Sequence, residues 1–170
     1  NSASMPAPFS DADRATIEVE VKEQYLITIR LTERLHRRFL DVIKTELDRL
    51  GVHDINNVQT LILSNIGEEE LTVGELTARG YYLGSNVSYN VKNLVENGYL
   101  IQERSPHDKR QMRGRLSEKG LQLTAQIDRL YGRNAEELNG RVVTVEQLRG
   151  LNQSLLGIER YWSSLISYHI

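Results

Sequence analysis

A chain of 170 residues, 39% apolar and 26% charged, is long enough for a single domain with a core, and it holds no apolar run long enough to span a membrane. It has no cysteine, which excludes disulfides, thiolate metal sites and thiol redox sensing. A net charge of −2 argues against a protein that binds polyanions over its whole surface, so any nucleic-acid contact has to come from a local patch.

Residues 1–4, before Met5, read as cloning residues with no signal peptide after them, and the expected setting is cytoplasmic. Residues 1–15 carry two of the three prolines and many small residues, and read as a mobile arm. From 16 to 50 there is no Gly or Pro, which predicts a helix of about 35 residues, roughly 50 Å long, stopped by Gly51. A helix of that length cannot bury its apolar stripe within one small domain, so it is expected to pack against a partner subunit. Leu35, Phe39, Val42, Ile43, Leu47 and Leu50 line one side of its second half. A further helix is expected over 54–66, with Ile55, Val58, Ile62 and Ile66 inside and Gly67 as its stop. Glu68, Glu69 and Glu70 then read as a solvated acidic loop.

The stretch 71–116 is the most informative. Thr72 and Glu75 have capping-box spacing at a helix start, and Gly80 offers a left-handed stop. A second helix can begin at Gly84 or Ser85 and ends at Gly98. In it Val87, Val91, Leu94 and Val95 make one inward stripe. Ser85, Tyr89, Lys92, Asn93 and Glu96 point away from that stripe, with Asn86 and Ser88 on its flanks. A merely solvated face would be rich in Glu and Lys, whereas this one is mostly hydroxyls, amides and a tyrosine. Such groups donate and accept, which suits base edges and phosphates in a major groove. Two short helices around a tight connection, the second with this face, form a helix-turn-helix pattern.

Two strand-like runs follow, 99–104 and 111–116, joined by Ser105-Pro106-His107-Asp108-Lys109-Arg110. Between Arg79 and Leu116 there are seven Lys or Arg against three Asp or Glu, a local charge of +4. By itself the hairpin could be solvated with incidental charge. Directly after a recognition-type helix it reads as a wing.

Beyond the wing, Ser117 is expected to cap a helix reaching about Asn139, and Thr144 with Gln147 forms a capping box. Leu148, Leu151, Leu155, Ile158, Trp162 and Leu165 are spaced three, four, three, four, three, the seam of one helix lying along another. The seam could lie against the preceding helix alone; a mixed seam, partly between subunits, is the preferred reading. Histidines 36, 53, 107 and 169 are scattered without metal-ligand spacing. No phosphate-cradling glycine loop or catalytic triad pattern is visible. No catalytic residue, metal or cofactor is therefore expected.

Leu94-Val95-Glu96-Asn97-Gly98-Tyr99-Leu100, the wing pattern around Arg104, Asp108 and Arg110, and Leu116-Ser117-Glu118-Lys119-Gly120 together resemble the MarR-type winged-helix transcription regulators. The resemblance runs from about Glu18 onward. Within that family, residues 79–86 look like the LdtR branch, which is associated with cell-wall transpeptidase genes and osmotic stress. The resemblance implies a mainly α winged helix-turn-helix with a two-stranded wing. Residues 54–116 would be the DNA-binding region, flanked by helical dimerisation segments 16–50 and 118–170. It implies a homodimer on a pseudo-palindromic duplex, acting as repressor or dual regulator and modulated by a small aromatic or lipophilic effector. Arg110 would enter the minor groove and Asp108 would help to hold the wing. Expected DNA contacts are Ser85, Asn86, Ser88, Tyr89, Lys92, Asn93, Arg104, His107, Asp108, Lys109, Arg110 and Arg113. Phe39, Ile43, Leu61 and Ser64 are the expected effector contacts, a mostly apolar set with one polar group. The competing class is a winged helix that binds protein rather than DNA.

Overall fold

The computed structural model describes residues 6–79 and 84–167, with the backbone alone at Gly84 and Ser85. The chain divides into two compact units, residues 1–61 and 62–170.

The first unit is dominated by α1, Asp11–Leu50, a helix of 40 residues. Its start corrects the expected arm. Ser10 and Asp13 close a capping box, so residues 11–15 are helical. The stop is the expected one. Gly51 has φ 71°, and the Val52 and Gly51 amides donate back to the Leu47 and Asp48 carbonyls, satisfying acceptors the last turn would leave bare. Along α1 only Ile43, Glu46 and Leu47 are buried, and Glu46 is paired with Arg49 of the next turn.

Helix α2, Asn57–Ile66, starts three residues later than the periodicity suggests. Asn56 is the reason: its Oδ1 accepts from the Gln59 amide at 2.8 Å, while its own amide donates to Gln59 Oε1 at 3.0 Å. That reciprocal pair fixes the first turn. Asn57 Nδ2 donates to the Leu40 carbonyl at 3.1 Å, tying this start to α1.

In the second unit a three-stranded antiparallel sheet carries the remaining helices. Strand β1, Leu71–Thr72, was not expected from sequence; it pairs with β3, Met112–Leu116, which pairs in turn with β2, Leu100–Arg104. Thr72 also caps α3, Val73–Ala78, accepting from the Glu75 amide at 3.0 Å. The Glu75 carboxylate lies 3.9 Å from Arg113. The expected stop at Gly80 lies outside the described residues. Helix α4 is Gly84–Glu96, followed by α5, Glu118–Leu138, and α6, Val145–Ser167.

Val87, Val91, Leu94, Leu76, Leu100, Leu116, Leu123 and Ile127 are buried. Full burial of side chains such as Val87 and Leu94 stabilises by roughly 1.5–3 kcal/mol each. The sequence stretches around Gly98 and Gly120 meet here. Gly98, at φ 80°, ends α4, and the Gly98 and Tyr99 amides return to Val95 and Leu94. The Tyr99 carbonyl accepts from Ser117, and Ser117 Oγ donates to the Gly98 carbonyl. Lys119 Nζ reaches the Asn97 carbonyl at 3.0 Å and sits 4.3 Å above the Tyr99 ring. Gly120 packs directly on the Tyr99 carbonyl, where a Cβ would clash with backbone. The recognition-type helix is thereby clamped to the start of α5.

Candidate nucleic-acid interface

The periodicity of α4 is realised in space. Val87, Val91 and Leu94 are buried and Val95 is half-buried, while Asn86, Ser88, Lys92 and Glu96 are exposed and Tyr89 is 69% exposed. The side chain of Ser85 lies outside the described residues. Asn93 is half-buried, and its Oδ1 accepts from Asn97 Nδ2 at 2.9 Å, so it is engaged within the helix end. Asn90 was missed from the sequence. It is buried on the inner face between Val87 and Val91, with Nδ2 donating to the Asn86 carbonyl at 2.8 Å. The available signal was an amide set within an apolar stripe, which needs an internal partner.

The hairpin of β2 and β3 is closed by its own side chains. Asp108 Oδ1 accepts from the Arg110 amide at 3.0 Å, and its carbonyl accepts from the Gln111 amide at 3.0 Å. This is an Asx-type turn, in which a short side chain substitutes for backbone. Arg104 donates through Nη1 to the Lys109 carbonyl at 3.0 Å, and the Ser105 amide donates to Gln111. Asp108 and Arg104 therefore shape the tip. His107, Lys109 and Arg110 are exposed on it, and among the described residues nothing pairs with the Arg110 guanidinium.

The cations of this region separate into two groups. Arg79 pairs with Glu69 at 2.8 Å, and Arg115 with Glu103 at 3.1 Å and more distantly with Glu70 at 4.0 Å. Arg113 lies beside Glu75. Lys92, Arg104, Lys109 and Arg110 have no carboxylate partner among the described residues. Arg113, expected as a DNA contact, thus belongs to the neutralised group at the root of the wing. Its partner stands far off in the sequence.

The expected effector residues fall on two helices. Phe39 and Ile43 are one turn apart on α1, the first 39% exposed and the second buried. Leu61 and Ser64 are neighbours on α2, both half-buried. Ser64 Oγ is cut off from solvent without a hydrogen-bond partner.

Helices α3 and α4 followed by a wing on the same small sheet define a winged helix-turn-helix. The model for the MarR family matches residues 53–111. The exopolysaccharide II synthesis transcriptional activator ExpG of Rhizobium meliloti (strain 1021) is 40% identical over 146 residues, covering 86% of this chain and 75% of that protein. The chain belongs to the MarR family and is a transcriptional regulator of the winged-helix class. Among solved structures, Streptococcus pneumoniae FabT in complex with DNA aligns with a TM-score of 0.68 at 18% identity, over 83% of this chain and 99% of that one. A MarR-family regulator from Listeria monocytogenes complexed with 26mer DNA aligns with a TM-score of 0.67 at 22% identity, over 78% and 87%. At such identities the likeness is one of fold. The LdtR-like segment falls largely on residues 80–83, outside the described ones, so that branch resemblance rests on sequence alone.

Proposed function

We propose that this chain is a homodimeric, sequence-specific DNA-binding regulator that sets two copies of α4 in successive major grooves. Half-site centres would be about 10 bp apart, with the wing tips in the adjacent minor grooves. The observation that carries the reading is the pairing of two exposed features. Asn86, Ser88 and Tyr89 present donors and acceptors on α4, and Arg110 stands unpaired on a tip whose backbone Asp108 holds. The first set suits base edges; a lone guanidinium suits a narrow groove of strong negative potential. The DNA-bound state of the FabT and Listeria proteins and the activator role of ExpG support the same reading.

Dimerisation is supported by what the single chain leaves uncovered. No residue of α6 is buried, and Leu148, Leu151, Leu155, Trp162 and Leu165 are each more than a third exposed. An apolar seam of that length in water needs a partner. The corner between α5 and α6 adds an open hollow of about 430 Å³ lined by Leu138, Val143, Val145 and Leu148, room for a second copy's side chains. The buried, unpartnered Ser64 hydroxyl supports response to a small ligand bearing a polar group, because an unmet buried donor is costly until something meets it.

The test is selection of bound sequences from a random duplex library, followed by affinity against salt. Enrichment of a pseudo-palindrome and a steep fall of affinity with salt are expected. No enrichment, or interaction only with proteins, would overturn the reading in favour of a protein-binding winged helix.

A further inference from the structure

Three arginines near the reading surface are held by glutamates, and the cations left free are confined to α4 and the wing tip. Arg115 on β3 donates to Glu103 across the sheet and lies 4.0 Å from Glu70 of the loop before β1. Arg79, the C-cap of α3, binds Glu69 of the same loop and the Asn65 carbonyl. Arg113 faces Glu75. All three arginines are still a third or more exposed, so a polyanion could reach them.

Resting on the DNA-binding reading above, we infer that Glu69, Glu70, Glu75 and Glu103 are specificity determinants that act by suppressing binding to the wrong DNA. Sequence-independent affinity for duplex DNA comes from cations that neutralise phosphates and release counterions. A cation beside a fixed carboxylate releases less, because it is already neutralised and the carboxylate repels the incoming phosphate. Exposed ion pairs contribute little to folding, so stability alone gives weak reason for three of them at one surface. Their effect on DNA is larger in kind. They remove phosphate contacts that every sequence offers, and leave intact the helix face and tip that distinguish sequences. The acidic loop thereby lowers competition from random DNA without touching operator contacts.

The experiment uses the full chain and two duplexes, the selected operator and a scrambled sequence, titrated from about 50 to about 200 mM salt. Glu70→Gln/Glu103→Gln frees Arg115. Adding Arg115→Gln removes the freed cation, and Glu137→Gln on α5 changes net charge equally without freeing an arginine. For the scrambled duplex, Glu70→Gln/Glu103→Gln should bind about threefold or more tightly at the low-salt end. Its log–log salt slope should steepen by about 0.9, one phosphate contact. Operator affinity should change by less than about twofold, so the specificity ratio falls. Arg115→Gln should return the slope to its starting value. An unchanged slope, a steepening that survives Arg115→Gln, or an equal effect from Glu137→Gln would overturn the inference. Failure of the unsubstituted chain to bind either duplex would instead overturn the DNA-binding reading, and this inference with it.

Discussion

Single side chains divide the reading surface into contacts that discriminate and contacts that hold. Asn86→Ala should relax preference at one or two base pairs at a cost of about 1–3 kcal/mol, whereas Arg110→Ala should weaken every sequence, most of all those with narrow A·T-rich flanks. Equal losses from both substitutions across a panel of duplexes would contradict that division. Gly120→Ala tests the clamp beneath the surface. Its Cβ would press on the Tyr99 carbonyl, which is backbone and cannot turn aside, and would stand 3.2 Å from Leu116 Cγ. A loss of about 1–3 kcal/mol in denaturant unfolding is expected, the usual cost of overpacking. At this scale the sequence was legible where a side chain's role depends on its own helix. The exposed face of α4 followed from its period. Arg113 and Gly120 were opaque because their meaning comes from Glu75 and Tyr99, brought near only by the sheet.

Elements were legible to the extent that they are long. The period of α4, the stop glycines at 51 and 98 and the Thr144–Gln147 box all appear as read, the last with both reciprocal bonds formed. Strand β1, with two residues, is too short to show alternation, and only its pairing with Gly114 and Arg113 defines it. The start of α1 was hidden by Pro6 and Pro8, which drew attention from Ser10 and Asp13. That start makes a prediction of its own. Hydrogen bonds from the Ser10 side chain and backbone hold the Asp13 carboxyl below its usual value of 3.8. A depressed folded pKa means the box helps the helix above that value and the help is lost as pH falls through the lower one. Amide exchange of the first turn of α1 should therefore quicken in that acid range, and Asp13→Asn should flatten the dependence. For α6, deletion from Leu155 onward should leave monomer or aggregate by light scattering; a well-folded dimer after truncation would sink the seam's proposed role.

For the molecule as a whole, an uncovered α6 makes thermodynamics depend on how much protein is present. Where folding and association are coupled, the midpoint of thermal unfolding rises with protomer concentration, and a tenfold dilution should lower it measurably. The same law reaches the operator. If only dimers occupy it, then below the dimer dissociation constant occupancy follows the square of the protomer concentration. Halving the number of copies would cut bound operator about fourfold in that regime, with no cooperativity between sites. An exposed row of leucines on one helix would thus give a cell a sharper dose response than a monomeric regulator of equal affinity.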